Sequence, residues 1–317
     1  MADRKIIAVT GATGAQGGGL VRAIVADQSG EWGVRAITRK LDSDKAKALK
    51  AAGVEVVAAD LDDVESLTRA FSGAYGAFCV TNYWEHFSVD KEMQQAKNLA
   101  TAAKRAGIKH AIWSTLEDTR KLVPLSDTRM PTLHEKYKVP HLDGKGESNQ
   151  FFLEAGVPTT LLNTSFYWEN FIYFGMGPQR GPDGVLGITM PMGDKKLPGI
   201  AVEDIGKCAF GIFKQGNEHI GKEVGIAGEH LTGDEMAAAL SKFAGQPIRY
   251  NDVPADVYRT FPFPGADDVG NMFQYKRDFN AEFTGGRSLS FSRSVNPELQ
   301  TFETWLRANA AQIPLPA

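Results

Sequence analysis

Three glycines spaced three residues apart follow the first apolar run of the chain and restrict its fold more than any other feature. The run Ile6–Thr10 has the composition of a buried strand and leads directly into Gly11-x-x-Gly14-x-x-Gly17. Glycine tolerates positive φ and has no side chain, so the chain can turn tightly and its backbone can approach a ligand. A strand, this turn and a helix in succession predict a dinucleotide-binding unit with a pyrophosphate at the start of the helix.

Strand-like and helix-like segments alternate through the first half of the chain. The predicted strands are Ile6–Thr10, Val34–Thr38, Val54–Ala58, Ala77–Val80, Ala111–Ser114 and Pro158–Asn163. The predicted helices are Gly17–Ala26, Ser43–Ala52, Val64–Phe71, Lys91–Ala106 and Gly144–Ala155. Several of these helices are followed by a glycine, as helix ends often are. The alternation predicts an α/β fold with a Rossmann-type, doubly wound parallel sheet.

The alternation stops after Asn163, where segments become shorter and richer in glycine and proline. We therefore predict a Rossmann domain over residues 1–160 and a smaller C-terminal α+β lobe over residues 161–317. Helices are expected at Val202–Lys214 and Gly233–Ala244. Strands that partly rejoin the main sheet are expected around 185–190, 223–227 and 247–251.

Composition excludes several classes of function. The chain has 35 basic and 38 acidic residues and a formal net charge of −3, without the basic stripe of a nucleic-acid binder, so no direct nucleic-acid contact is predicted. Cys79 and Cys208 are the only cysteines, which argues against a disulfide framework or a zinc site. No metal site is predicted. Because no apolar stretch is long enough to span a bilayer, we expect no membrane association and a cytoplasmic protein.

Basic residues after the second predicted strand indicate which dinucleotide is bound. In Rossmann folds an acid at this point binds the ribose 2′-hydroxyl of NAD, whereas an arginine accommodates the 2′-phosphate of NADP. Here the chain offers Arg39 and Lys40, so the predicted cofactor is NADP(H).

Asp60 and Leu61 end the third strand, where an adenine contact is expected. The residues predicted to hold the pyrophosphate are Gly11, Ala12, Thr13, Gly14, Ala15 and Gln16.

Three segments together resemble a known family. They are Gly11–Gly18, Val80–Glu85 and Pro140–Glu147. The first has the glycine spacing of short-chain dehydrogenases, and the set is similar to the NmrA-like family of atypical short-chain dehydrogenase-fold proteins. The resemblance continues to Trp305 and is strongest to the NADPH-sensing animal members of the family. It implies a regulatory protein that binds NADP(H) and acts through a protein partner.

The resemblance also implies further cofactor contacts. Thr81, Asn82 and Tyr83, which follow the fourth strand, would lie on the ribose and nicotinamide side. Lys145 would reach the nicotinamide ribose. The segment that would close over the nicotinamide consists of Tyr167, Trp168, Glu169 and Asn170.

The usual catalytic motif of short-chain dehydrogenases, Tyr-x-x-x-Lys, is missing. None of the eight tyrosines has a lysine four residues later, and the equivalent position reads His141-x-x-x-Lys145. One interpretation is a non-catalytic sensor of cofactor level. The alternative is an NADPH-dependent reductase in which His141 is the general acid, since histidine titrates near neutrality. In that case Lys145 and Ser114 would assist. The residues identify neither a substrate nor a protein partner, and they leave a homodimer undecided.

Residues 118–139 contain mixed charge and two prolines, with no clear periodicity. This composition predicts a loop. We expect it to lie over the cofactor and to become ordered when NADP(H) binds.

Overall fold

The computed structural model describes residues 4–316. Its strands are β1 (Lys5–Val9), β2 (Trp32–Thr38), β3 (Glu55–Ala58), β4 (Gly76–Cys79), β5 (His110–Thr115), β6 (Thr159–Asn163), β7 (Phe166–Tyr167), β8 (Gln179–Arg180), β9 (Leu186–Thr189), β10 (Leu197–Ile200), β11 (Glu223–Gly225), β12 (Glu229–Leu231) and β13 (Ile248–Asn251). Its α-helices are α1 (Ala15–Ala26), α2 (Asp44–Ala51), α3 (Val64–Phe71), α4 (Val89–Arg105), α5 (Pro140–Glu154), α6 (Asn170–Tyr173), α7 (Val202–Lys214), α8 (Gly233–Ala244), α9 (Ala255–Tyr258), α10 (Ala266–Asp278), α11 (Asn280–Gly285), α12 (Leu289–Val295) and α13 (Phe302–Asn309).

The chain forms two compact units and passes between them more than once. The first unit contains the chain up to Asp118 together with Gly144–Asn163 and Glu203–Val224. The second contains Thr119–Asp143, Thr164–Val202 and the chain from Gly225 onward. One passage, after Asn163, lies near the boundary expected at residue 160.

A seven-stranded sheet forms the centre of the first unit. Its strand order is β11-β6-β5-β4-β1-β2-β3, and β1 to β6 pair in parallel. The order 3-2-1-4-5-6 is that of a Rossmann fold, in which the chain reverses its direction of travel between β1 and β4. The predicted α/β fold class with a doubly wound sheet is therefore confirmed.

One face of this sheet is covered by α3, α4 and part of α5. The core between these elements includes Phe71, Leu99 and Trp113, each completely buried. The ring of Trp113 stacks on Phe152 with the ring centroids 5.1 Å apart. Burying side chains of this size contributes about 1.5–3 kcal/mol each.

On α1 and α7, the backbones approach each other at a pair of glycines. A Cβ built on Gly206 would lie 2.1 Å from the carbonyl carbon of Gly19 and 2.1 Å from the nitrogen of Leu20. No real Cβ atom can be so close to backbone atoms. The contact therefore requires glycine at position 206, and it fixes the distance between the two helices.

The second unit contains two small sheets. In one, β10 pairs with β12 and β7, and in the other, β9 pairs with β13 and β8. The strands expected around 185–190 and 247–251 thus pair with each other as β9 and β13. Among the three strands expected to rejoin the main sheet, β11 does so, beside β6. Because β6 has one open edge, it accepts a single further neighbour, and β11 occupies it.

An aromatic cluster packs the interior of the second unit. Trp168, Phe302 and Trp305 are each about 1% exposed, and Phe302 stacks on Trp305 with centroids 5.7 Å apart. The ring of Trp168 lies 5.3 Å from that of Phe302. Nearby, α8 begins with a capping box formed by Thr232 and Glu235. This confirms the predicted start of that helix.

The segment 118–139 is mostly loop, as predicted, and much of it is organised by one carboxylate. Asp143 is completely buried and accepts hydrogen bonds from the nitrogens of Thr119, Lys138 and Val139 and from the Thr119 hydroxyl, at 2.6–3.0 Å. Burial raises the pKa of the Asp143 carboxyl, and these hydrogen bonds oppose the rise. The expected dependence of this loop on cofactor binding stays a prediction.

Substituting Gly206→Ala should destabilise the protein by about 1–3 kcal/mol or more, because the added methyl group must push α1 and α7 apart. Gly285→Ala is the matched control, since a Cβ at position 285 meets nothing within 4 Å. It should change stability by no more than about 0.5 kcal/mol. Urea unfolding followed by circular dichroism measures both. Equal stability of the two variants would contradict the close helix packing.

Candidate functional site

The glycine turn after β1 depends on the absence of two side chains. Gly11 has φ of +59°, a left-handed conformation that favours glycine, and a Cβ there would lie 2.9 Å from Cγ1 of Val80. A Cβ on Gly17 would lie 2.5 Å from the carbonyl oxygen of Gly11. The first glycine therefore makes the turn, and the last allows α1 to begin directly against it.

The start of α1 has the properties of an anion site. Gly14 is the N-cap residue and has no side chain to accept a hydrogen bond from the first turn. The first N–H groups of a helix lack intrahelical acceptors, and the helix dipole makes this end positive. A basic side chain adds to this charge, because Nζ of Lys45 donates a hydrogen bond to the carbonyl oxygen of Thr13 at 3.2 Å. This environment suits a pyrophosphate held by Gly11–Gln16.

The hydroxyl of Thr10 ties the end of β1 to the end of β4. It accepts a hydrogen bond from the nitrogen of Val80 at 2.9 Å and lies 3.1 Å from the oxygen of Phe78. The residues after β4, Thr81 and Asn82, consequently begin beside the glycine turn. In Rossmann folds, ligands bind where the strand order reverses, and β1 and β4 flank that point here.

Arg39, the residue predicted to bind the 2′-phosphate, follows β2 and forms an ion pair. Its Nη2 lies 2.6 Å from Oε1 of Glu85, and each side chain is about half exposed. The hydrogen bond to Glu85 raises the pKa of the Arg39 guanidinium. Lys40 is exposed. Arg39 and Lys40 therefore provide positive charge at the end of β2.

The residues predicted for the adenine side lie at the end of β3. Asp60 is exposed, and its Oδ1 accepts a hydrogen bond from the nitrogen of Asp62 at 3.0 Å. The carbonyl oxygen of Leu61 accepts one from Nδ2 of Asn98 at 2.8 Å. Asp62 pairs with Lys91, and this contact lowers the pKa of the Asp62 carboxyl. Lys91 therefore engages the carboxylate of Asp62, whereas Asp60 is exposed and forms no ion pair of this kind within the part of the chain that the structure describes.

Lys145 lies in a buried polar network. Its Nζ is 2.8 Å from Oε1 of Glu92 and donates a hydrogen bond to Oγ1 of Thr81, also at 2.8 Å. Thr81 in turn donates to Glu92 at 2.6 Å. The ammonium group also lies 5.0 Å from the centroid of the Trp113 ring. Because Glu92 is completely buried, Lys145 is the counter-charge that makes its burial tolerable.

A histidine approaches the other oxygen of Glu92. Nδ1 of His86 accepts a hydrogen bond from the nitrogen of Ser88 at 3.1 Å, so Nε2 carries the proton in the neutral ring. Nε2 lies 3.7 Å from Oε2 of Glu92, and among residues 4–316 neither atom has a hydrogen-bond partner. Movement of the segment around His86 would therefore alter the surroundings of the Glu92 carboxylate.

Helix α5 brings Lys145 to this network because glycines flank it. A Cβ on Gly146 would lie 2.3 Å from the nitrogen of Asp118, and one on Gly144 would lie 2.7 Å from Cγ1 of Val89. The helix begins at Pro140 rather than at the expected Gly144. Proline is well tolerated at the first position of a helix, where its missing N–H is not needed. The expectation for the start of α5 was therefore wrong by one turn.

Ser114, predicted to assist catalysis, hydrogen-bonds within the first unit. Its hydroxyl donates to Oε1 of Gln16 at 2.7 Å. The pair links the end of β5 to the first turn of α1, next to the pyrophosphate loop. Gln16 and Ser114 therefore belong to one local arrangement, although 98 residues separate them.

The segment predicted to close over the nicotinamide lies in the second unit. Trp168 is buried in the aromatic cluster described above. The carboxylate of Glu169 accepts hydrogen bonds from Nε1 of Trp305 at 2.9 Å and from the nitrogen of Val202 at 3.0 Å. Tyr167 ends β7, and Asn170 begins α6. Trp168 and Glu169 thus have packing roles here, and the cofactor role of all four residues stays a prediction.

His141 pairs with an aspartate that sequence analysis did not select. Its Nδ1 lies 2.7 Å from Oδ1 of Asp268, and its backbone nitrogen donates to Oδ2 at 3.2 Å. Both side chains are more than nine-tenths buried. A carboxylate in this position fixes the tautomer and the orientation of an imidazole, as catalytic carboxylate–histidine pairs do.

Three acidic residues that pair with predicted site residues were not predicted from the sequence. Glu92 occupies a core position of α4, in the spacing shared by Ala96, Leu99 and Ala103, and an acid at such a position was a usable signal. Asp268 is indistinguishable in sequence from an ordinary acid of a first helical turn. Glu85 gave no signal, because its partner lies 46 residues away.

Two further findings limit the kinds of site present. Residues 4–316 contain no group of three or more His, Cys, Asp or Glu side chains that could hold a metal ion. Within the same residues, no helix is both long enough and apolar enough to cross a membrane.

The sheet order and the glycine turn define a Rossmann-type α/β protein of the kind that binds dinucleotides. The sequence profile of the NmrA-like family matches residues 3–306. The chain belongs to this family, as the resemblance of its three segments indicated.

The proteins similar to this chain include oxidoreductases and a transcriptional regulator. The NmrA-like family domain-containing oxidoreductase FrzB of Cladobotryum sp is 31% identical over 303 residues, covering 89% of this chain and 85% of that protein. An NAD(P)H azoreductase of Xenophilus azovorans is 30% identical over 246 residues, covering 77% of this chain and 76% of the enzyme. The crystal structure of NmrA, a negative transcriptional regulator, in complex with NADP has a TM-score of 0.78 at 26% identity, covering 96% and 94% of the two chains.

Removing the charge of Glu92 by Glu92→Gln should destabilise the protein by about 3–5 kcal/mol, because Lys145 would remain charged and buried. The double variant Glu92→Gln/Lys145→Met should recover part of this loss. Glu65→Gln, which breaks the exposed pair with Arg105, is the control and should cost less than about 1 kcal/mol. Urea unfolding of the unaltered protein, of Glu92→Gln, of Lys145→Met, of the double variant and of the control measures these differences. A double variant no more stable than the sum of its single substitutions would contradict the buried ion pair.

Proposed function

We propose that this protein binds NADP(H) at the carboxyl ends of β1 to β4. The observation that carries the proposal is the placement of an exposed arginine, Arg39, at the end of β2, in the same unit as an uncapped helix start behind a glycine turn. Gly11–Gln16 would hold the pyrophosphate, Arg39 and Lys40 the 2′-phosphate, and Asp60 with Leu61 the adenine. Thr81, Asn82, Tyr83 and Lys145 would face the nicotinamide half.

Structural relatives support this assignment. NmrA, at 26% identity to this chain, has been crystallised in complex with NADP and in complex with NAD. The glycine turn and the basic residues after β2 supply what a phosphorylated dinucleotide needs: backbone donors, positive charge and room for close approach. The same residues give no reason to expect a metal ion.

Binding without turnover is the role that we favour. The tyrosine that short-chain dehydrogenases use as the acid is replaced by His141, and Lys145 is occupied by an internal ion pair with Glu92. A protein with these changes would report the level of NADP(H) to a protein partner through a change in shape or assembly. NmrA, a negative transcriptional regulator, is a precedent for a regulatory role among proteins similar to this chain.

Neutralising Arg39 should weaken NADPH binding roughly 10- to 100-fold and leave NADH binding nearly unchanged, because a charged hydrogen bond contributes about 1.5–3 kcal/mol. The variant is Arg39→Met, and Arg105→Met, which removes an arginine from another exposed ion pair, is the control for a general loss of positive charge. Isothermal titration with both cofactors makes the comparison. If NADPH and NADH weaken equally, Arg39 does not bind the 2′-phosphate.

A second candidate function is an NADPH-dependent reductase. Two observations favour it: the buried His141–Asp268 pair, and the oxidoreductase names of relatives such as FrzB and the azoreductase. Bound NADPH supplies a hydride to an acceptor. His141 would donate the proton that the reduced acceptor needs, and Asp268 would hold the imidazole in place and stabilise its charged form.

One experiment separates the two functions. The purified protein is titrated with NADPH, NADP⁺, NADH and NAD⁺, and then mixed with NADPH and quinones, aldehydes, ketones or azo dyes while the absorbance of NADPH is followed. Oxidation of NADPH that falls about 100- to 10,000-fold in His141→Ala, with NADPH binding retained, would establish the reductase. Tight NADPH binding without oxidation supports the sensor. Absence of any dinucleotide binding would refute both.

A further inference from the structure

The partner of Arg39 is an unusual neighbour for a phosphate-binding arginine. Among the described residues, Glu85 is the carboxylate within hydrogen-bond distance of its guanidinium, at 2.6 Å. A carboxylate and a phosphate bind the same guanidinium N–H groups with similar geometry. Glu85 therefore occupies donors that a 2′-phosphate would need.

The ion pair between Arg39 and Glu85 is weak enough for a phosphate to compete with Glu85 for the guanidinium. The side chains of Arg39 and Glu85 are 53% and 47% exposed, and exposed pairs of this kind are weak enough for a dianionic phosphate to replace. The ribose of NAD(H) has a neutral 2′-hydroxyl in this position, which provides no charge to displace Glu85. The two cofactors should thus differ in whether Arg39 stays paired.

Glu85 lies on a short segment with several features of a movable element. It ends a 3₁₀ turn, Tyr83–Glu85, and Phe87 just beyond has φ of +53°, which is uncommon for a large side chain. Phe87 and Trp84 are large apolar side chains about two-fifths exposed. If the Glu85 carboxylate leaves Arg39, one exposed ion pair breaks, while the buried ring of Tyr83 keeps the start of the turn in place.

We propose that Glu85 competes with the 2′-phosphate for Arg39 and so sets how strongly the protein prefers NADP(H) over NAD(H). NADP(H) displaces the Glu85 carboxylate and loosens residues 85–87 at the end of the 3₁₀ turn, whereas NAD(H) leaves the ion pair closed. This inference rests on the proposed function, and it names the residue that tunes cofactor choice and the segment that distinguishes the two cofactors. Sequence motifs do not indicate it, because Glu85 follows β4 and Arg39 follows β2.

Calorimetric titration of Glu85→Gln with NADPH and NADH tests the competition. The substitution removes the competing charge but keeps the shape of the side chain. NADPH affinity should rise about two- to fivefold, and NADH affinity should change less than twofold, as the strength of an exposed ion pair implies. Glu65→Gln, which removes the same charge from the exposed pair with Arg105, should change neither affinity. In an Arg39→Met background, the effect of Glu85→Gln on NADPH should shrink.

Each outcome distinguishes this inference from the proposed function. If the unaltered protein binds neither cofactor, the proposed function fails, and the inference fails with it. If it prefers NADPH but Glu85→Gln leaves the preference unchanged or weakens NADPH, the competition is refuted while the cofactor site stands. Hydrogen exchange gives an independent readout, since residues 85–87 should exchange faster with NADP⁺ bound than with NAD⁺ bound. Equal exchange in the two complexes would refute the loosening of residues 85–87.

Discussion

The turn between β1 and α1 determines where every other group of the candidate site can lie. Because Gly17 has no side chain, the first turn of α1 packs against the carbonyl oxygens of Thr10 and Gly11, 2.5–2.6 Å from where its Cβ would be. The Thr10 hydroxyl then fixes the end of β4 beside the same turn. Residues that follow the parallel strands therefore collect at one edge of the sheet, and their chemistry is set by which residues the chain supplies there.

The charged residues at this edge of the sheet include a buried ion pair and an exposed ion pair. Lys145 and Glu92 neutralise each other in a buried network that also includes Thr81, so they contribute orientation rather than net charge. The positive charge that would attract an anion comes from the start of α1 and from two exposed side chains. Arg39 is paired with Glu85, and Lys40 lies beside Arg39 in the sequence. A buried pair is expensive to rearrange, whereas an exposed pair exchanges partners readily. The buried network is therefore suited to hold the shape of the candidate site, and the exposed pair is suited to the response to ligand that we propose.

Sequence reasoning succeeded where the deciding signal is local. The glycine turn and the helices Val64–Phe71, Val202–Lys214 and Gly233–Ala244 were predicted with the bounds that the structure has, because periodicity and capping act within a few residues. It failed where the partner is distant. Nothing near His141 indicates Asp268, which is 127 residues away. Three short strands were expected to join the main sheet, and only β11 does so. Which sheet a short strand joins depends on its packing against distant residues, which a local sequence pattern does not show.

The proteins similar to this chain include a transcriptional regulator and oxidoreductases. One cofactor site can serve both functions if the residues needed for regulation differ from those needed for catalysis. A sensor requires a contact that differs between bound states, and the exposed Arg39–Glu85 pair is the one that we propose for this role. A reductase requires a proton donor held in place, and the buried His141–Asp268 pair has that character. The two requirements fall on different residues in this chain, so one can be lost without the other. A chain without the catalytic tyrosine is therefore expected to keep its cofactor site, and with it a regulatory role that needs no turnover.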